Sequence, residues 1–594
     1  MKTITSRRSI LSLFLLLLSW HIQALVLNNP KTALADYIAY DDGMYQIQYL
    51  TAVPGSGYTA HVYSMTSQQW LTTAEVNNPV WKHTLVMIVP TTVNSTTAML
   101  YVGGGRNTDA IPGLTDQTVQ VISQIALSSQ SIVSAVFQTP NQPLIFSGET
   151  VNSDEDVLVS YTWKKAMDTG NYQWPAYLPM TKSVIKAMDG IQSAANDLGY
   201  TINDFVLTGY SKRGAAVWLT AAVDSRVKAI APGVIDFLNT VNSFEHQYKS
   251  YGSYSLAVES YIKRGITDKI RSPEYADLSQ IIDPYNYLAA LTMPKFILNS
   301  SGDEFFLPDS SRYYYDDLIG EKHIRFAPNT GHSLSNSKTS VYDTLYSLLG
   351  WYQTILYNMP RPEINWQLNN GVLSASTSIT PVAVRSWSAN NPAARDFRHA
   401  VIGEVWTAST LQADANGKYS VTLTNGGAGY TATFIEFVYN GLANVPLTYS
   451  TQVYVTPDTE PFALSNPLLD PKTALFWNKQ VKNAQVGITG DVSADTLKNY
   501  LPIPLFDQYM NNLEDMNAAF RIGRTTPITD LAKRECLATR LNISHGEFGW
   551  YSTVDLGWGL GSKLLWEHYK TADDAANVSF PWLSALICAK LNML

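Results

Sequence analysis

Three residue types that together make an acyl-transfer nucleophile occur in one order along the chain: Ser211, Asp303 and His332. A serine hydroxyl attacks a carbonyl only when a base takes its proton. Imidazole titrates near neutrality, and a carboxylate behind it fixes the ring tautomer and supports the imidazolium. Ser211 lies in Val206-Leu207-Thr208-Gly209-Tyr210-Ser211-Lys212-Arg213-Gly214, a short apolar run reaching Gly-x-Ser, and the helix-forming residues 215–222 follow. Strand, sharp turn and helix is the layout of a nucleophile elbow, whose helix N-terminus offers N–H groups and a positive dipole end to a developing oxyanion. The usual second glycine two residues after the serine is replaced by Arg213, and Gly214 comes one place later. An ordinary strand–helix turn with a serine N-cap has the same look, so the choice falls to the flanking segments.

Asp303 follows a strand-like run at 295–299, and His332 follows another at 323–327. The serine, acid and histidine thus each stand after a predicted strand, in the order used by α/β-hydrolases. Glu304, and Asp236 after the run at 227–231, are alternative acids. Tyr101-Val102-Gly103-Gly104-Gly105-Arg106-Asn107 ends another apolar run in glycines whose N–H groups can point into a cavity. Gly104 and Gly105 are candidates for one oxyanion donor and the Lys212 N–H for the other. A phosphate loop is the rival reading, but no Lys-Ser/Thr follows the glycines. Gly209 and Gly214 fall where strand and helix must cross closely. Arg213 is expected to pair with a buried carboxylate, with Asp236 as candidate, and to brace the turn through its guanidinium fork.

Positioning such groups takes a sheet. Strand-like runs at 85–90, 98–102, 132–137, 206–210, 227–231, 295–299 and 323–327 alternate with helical patterns at 115–127, 180–198 and 340–357. Alternation of this kind predicts a largely parallel sheet covered on both faces, with functional groups at the C-terminal strand ends.

Several stretches resemble the PhoPQ-activated pathogenicity-related protein family. They are Thr66-Ser67-Gln68-Gln69-Trp70-Leu71, Val80-Trp81-Lys82-His83, the glycine loop at 103–107, Trp174-Pro175 with Leu178-Pro179-Met180, and the elbow with Leu219-Thr220-Ala221-Ala222-Val223-Asp224 after it. The likeness runs over roughly 35–437. It implies an α/β-hydrolase-like domain in which Arg213 before Gly214 is the family's own form of the elbow. The family includes bacterial secreted proteins and a secreted signal of social amoebae that restrains proliferation. The resemblance therefore implies two roles: a serine hydrolase acting on an ester or amide, or an extracellular signal that binds a receptor without catalysis.

Lys2, Arg7 and Arg8 precede a leucine-rich run at 10–18 and a small residue at Ala24, the pattern of a secretory signal peptide over 1–24. The expected architecture is an α/β-hydrolase-like domain at 25–360, an immunoglobulin-like β-sandwich at 361–460, and a mixed, mainly helical region at 461–594. Pro360-Arg361-Pro362 marks the first boundary, and short alternating runs separated by Asn369-Asn370-Gly371 and Asn416-Gly417 mark the sandwich. Helices are expected at 497–520 and 556–575. The apolar end, 580–594, holds Lys590 and is too short to span a bilayer.

A formal net charge of −8, with only 15% charged residues, leaves no basic stripe for nucleic acid. Cys536 and Cys588 can form one disulfide in an oxidising compartment. No His-Glu-x-x-His or Cys-x-x-Cys motif occurs, so neither a metal site nor a cofactor is expected. Asn94, Asn299, Asn542 and Asn577 begin glycosylation sequons. The expected partner is a small-molecule or peptide substrate, or a cell-surface receptor.

Overall fold

Strands that carry apolar residues on both faces must be covered on both faces, and that requirement organises the chain. The computed structural model describes residues 25–336 and 341–464, with short pieces at 480–482, 484–485, 503–505, 508–510, 553–555 and 562–564. Its main sheet begins with β1 (Gln46–Gly55), β2 (Tyr58–Gln69), β3 (Val80–Pro90), β4 (Thr97–Val102), β5 (Val133–Val136), β6 (Asp204–Tyr210), β7 (Val227–Gly233), β8 (Lys295–Ser300) and β9 (Lys322–Ala327). The spatial order is β1-β2-β3-β5-β4-β6-β7-β8-β9. The strands from β5 to β9 in that order run parallel to their neighbours, and β1, β2 and β3 are antiparallel.

The helices around the main sheet include α1 (Ala33–Ala39), α2 (Gln117–Ser129), α3 (Glu155–Thr169), α4 (Tyr177–Asp197), α5 (Lys212–Val223), α6 (Thr240–Tyr251), α7 (Glu259–Ile262), α8 (Pro273–Ile282), α9 (Val341–Leu356) and α10 (His399–Ile402). Side chains alternate across a strand, so β4 divides between two cores. Ala98, Leu100 and Val102 join the core under α4 and α5, while Met99 joins the core under α2 and α9. Helix α4 buries Val184, Ile185, Met188, Ile191 and Ala195 of the stripe its sequence periodicity predicts, while Leu198, at the C-cap beyond the helix, is 39% exposed. The β6–turn–α5 unit is thereby fixed at the middle of the parallel region.

The strands expected to form a separate immunoglobulin-like sandwich are divided differently. β10 (Ile364–Asn369), β11 (Val372–Thr377) and β14 (Tyr419–Thr422) form a three-stranded sheet. β12 (Ala383–Asn391), β13 (Thr407–Thr410), β15 (Tyr430–Asn440), β16 (Pro446–Ser450) and β17 (Tyr454–Thr456) extend the main sheet instead. The physical reason is the open edge of β9, whose unpaired groups β16 meets antiparallel at Ser450 and Ile324. Ser450 Oγ accepts from the Phe326 N–H, which completes the join.

Within 497–520 and 556–575, where helices are expected, the described residues are strands. Ile503–Leu505 pairs with Gln508–Met510, and Thr553–Asp555 with Ser562–Leu564. Pro502 and Pro504 remove backbone donors a helix there would need. Among the described residues no helix is long and apolar enough to cross a membrane. The leader at 1–24, Cys536, Cys588, Asn542 and Asn577 lie outside the described residues.

Candidate active site

Ser211 occupies the turn between β6 and α5 with φ 57° and ψ −132°. A positive φ at a residue with a Cβ costs about 1–3 kcal/mol and persists only where its surroundings enforce it. Here the Ser211 N–H donates to Gly233 O at 2.8 Å, and its carbonyl accepts from the Ala215 N–H at 3.1 Å. An N-capping serine has extended backbone and caps with its side chain; Ser211 does neither. The glycines explain how the turn closes. A Cβ at Gly209 would stand 3.0 Å from the Arg213 carbonyl oxygen, and one at Gly214 would stand 2.9 Å from the Gly209 carbonyl oxygen. Gly214 thus makes the close crossing that leaves position 213 free for a long side chain.

Asp303 and His332 follow the neighbouring strands β8 and β9. His332 Nδ1 lies 2.9 and 3.0 Å from the two carboxylate oxygens of Asp303, which is 3% exposed. The Phe305 N–H also donates to Asp303 Oδ1, at 2.8 Å. Glu304 does not reach the ring. It accepts the backbone N–H of His332 at 2.8 Å and so holds the loop. Burial opposes a charged His332 ring, but Asp303, by charge and hydrogen bond, outweighs it and raises the pKa. Phe305 and Phe306 flank the ring, with centroids 4.4 and 6.1 Å away. Among the described residues no hydrogen bond joins Ser211 Oγ to His332.

Arg213 and Asp236 do not meet as the sequence suggested. The Arg213 guanidinium donates to Glu155 Oε1 at 2.5 Å and to Thr139 O at 2.7 Å. It lies across Gly104, where a Cβ would come within 2.5 Å of Nη2, so this glycine makes room for the arginine. Asp236 is 3% exposed and accepts from the Tyr314 hydroxyl at 2.5 Å. Burial pushes its pKa up to about 8, against the Tyr314 hydrogen bond and with the help of Asp303 and Asp309. Asn299, whose sequon lies in β8, is 3% exposed and is not an accessible glycan acceptor; Asn94 is exposed.

Glu155 is the residue that sequence reasoning missed. It opens α3 and takes both cations of the elbow: Arg213, and Lys212 Nζ at 2.8 Å, which also lies 3.3 Å from Asp156. Its only sequence signal is the acidic triplet Asp154-Glu155-Asp156 at a helix start, a pattern also explained by the helix dipole. Burial opposes its charge, but Arg213 and Lys212 hold its pKa at about 2. Glu155→Gln should lower stability at neutral pH by about 1–2 kcal/mol, discounted because the carboxylate side is 41% exposed. A depressed carboxylate pKa contributes stability above the unfolded value of 4.5 and loses it as pH falls toward about 2. Melting curves of wild type and variant should therefore converge between pH 5 and 2.

The oxyanion candidates sit around this clamp. Lys212 is the first residue of α5, so its N–H has no acceptor one turn back. Gly103 and Gly104 turn their carbonyls to the Thr139 and Gln138 N–H groups. Among the described residues no cluster of three or more His, Cys, Asp or Glu is placed to hold a metal ion.

The family model described as PhoPQ-activated pathogenicity-related protein matches residues 34–398. Autocrine proliferation repressor protein A of Dictyostelium discoideum is 36% identical over 479 residues, which cover 76% of this chain and 94% of that protein. Among solved structures, acetyl xylan esterase 1 from a Thermoanaerobacterium species is similar at 14% identity and a TM-score of 0.36, over 55% of this chain and 96% of that one. The rice cell wall degrading esterase LipA from Xanthomonas oryzae is similar at 12% identity and a TM-score of 0.33, over 54% and 100% of the two chains.

Proposed function

We propose that this chain, which belongs to the PhoPQ-activated pathogenicity-related protein family, is a secreted serine hydrolase of esters or amides. One observation carries the reading: Ser211 is held at φ 57° on a strand–helix turn that it does not cap. The His332–Asp303 pair at neighbouring strand ends supports it. In the proposed reaction Ser211 Oγ bonds to the substrate carbonyl carbon and its proton passes to His332 Nε2. The oxyanion is met by the Lys212 N–H and by an N–H of Gly104 or Gly105. The bond to the leaving atom breaks, and that atom takes the proton from His332. Water, deprotonated by the same ring, then releases the acid and restores Ser211.

A second reading is favoured by the name of the Dictyostelium relative: a secreted signal that represses proliferation by engaging a cell-surface receptor on the same scaffold. A fluorophosphonate probe separates the two. Covalent labelling of the wild-type protein, absent in Ser211→Ala, is expected for the hydrolase. No labelling, together with a Ser211→Ala protein that still acts on cells, would replace catalysis by the signalling reading.

A further inference from the structure

A cavity of ≈ 290 Å³ lies between α2 and α9, on the face of the sheet opposite α4 and α5. Its walls include Val121 on α2 with Leu345 and Leu348 on α9, and its lining also takes in Tyr210, His332 and Leu334. Lys212, Arg213, Glu155 and Asp156 pair with one another and none of them lines the cavity, so the charged groups beside the elbow lie outside its walls. An apolar substituent belongs in the cavity, at the small end of the range for ligand pockets.

The lining also says which end of the substrate enters. It includes His332, the two residues after it and Tyr210, which precedes the nucleophile, but neither Ser211 itself nor the oxyanion candidates Lys212, Gly104 and Gly105. His332 is the group that gives its proton to the leaving atom when the bond to the acyl carbon breaks. The alkyl chain on that atom must therefore start beside the ring. We infer that the cavity receives the apolar alcohol or amine portion of the substrate, an inference that rests on the serine-hydrolase reading. Substrates are then acyl derivatives of a short aliphatic or aryl alcohol or amine, with a small or polar acyl group lying outside the cavity.

Two ester series test this: methyl, butyl and hexyl acetate against methyl acetate, methyl butyrate and methyl hexanoate. kcat/KM should rise by at least about 10-fold from methyl to butyl acetate, a floor set by one of the three added methylenes in a fitted apolar pocket. The acyl series should stay flat or fall. Val121→Trp and Leu345→Trp should collapse the butyl-to-methyl acetate ratio toward one, with fluorophosphonate labelling retained as the check that the elbow is intact. A flat alcohol series, or a rise confined to the acyl series, overturns the assignment while leaving the hydrolase reading in place. Absence of both hydrolysis and labelling overturns the hydrolase reading itself.

Discussion

Asp303→Asn is expected to lower turnover of any ester the protein hydrolyses by roughly 10⁴-fold while leaving the fold intact. Both oxygens of Asp303 face Nδ1 of His332, which fixes the proton on Nδ1 and leaves Nε2 free to accept. An amide can present its NH₂ to Nδ1 instead. The ring proton then moves to Nε2, and the base is lost without any loss of shape. Asn keeps an oxygen that can still accept the Phe305 N–H, so the turn after β8 survives. The pH profile carries a second signature. Burial opposes the raised pKa of His332 and Asp303 supplies the main opposing charge. Catalysis needs the neutral ring, so wild-type activity should rise with pH through that raised value. The residual activity of the variant should rise at lower pH, because the charge that favours imidazolium is gone. A variant that keeps a tenth or more of wild-type kcat, with an unmoved profile, would falsify Asp303 as the orienting acid.

The placement of the candidate residues after strands was legible in the chain because it depends on local pattern. The runs after which Asp303 and His332 stand are β8 and β9, and the run into Gly209-Tyr210-Ser211 is β6. Strands buried on both faces leave an unbroken apolar signature, and catalytic groups must follow their C-terminal ends. Partner choice across the fold left no such signature. Arg213 pairs not with the candidate Asp236 but with Glu155, 58 residues away at the start of α3. Nothing in a linear spacing reports that the α3 start is folded over the glycine loop. The Asn299 sequon shows a local conflict that could have been resolved: the residues predicted to be a fully buried strand cannot also present an accessible asparagine. The strands after residue 360 were visible as strands. Their sheet was not, because it is set by which edge remains open, and β9 offered one.

Asp309→Asn should destabilise the protein by about 3–5 kcal/mol. The Arg395 side chain is fully buried, and its Nη2 lies 2.6 Å from Asp309 Oδ2. His246, also fully buried, presents Nε2 to Asp309 Oδ1 at 2.9 Å and Nδ1 to Glu460 at 2.8 Å. Arg312 approaches the same carboxylate at 3.3 Å and pairs outward with Asp458, while the Tyr313 ring stands against the imidazole. One buried anion thus compensates cations from three chain segments and ties residues 458–460 to α6. After the substitution, Asp458 remains 3.9 Å from Arg395 but is 59% exposed, too solvated to replace Asp309. The pH dependence gives the sign. Burial opposes the imidazolium of His246, but Asp309 and Glu460 raise its pKa, with Arg395 acting against them. A raised histidine contributes stability that is complete below the unfolded value of 6.5 and is lost as pH rises through the folded one. Burial likewise opposes ionised Asp309, yet Arg395 and His246 hold it well below 3.8, so its contribution is present throughout the neutral range and fails only in acid. The apparent melting temperature of the wild-type protein should therefore fall as pH rises above 6.5, and that slope should flatten in Asp309→Asn and in His246→Gln. Equal slopes in all three proteins would show that His246 is not held as the cation between these two carboxylates.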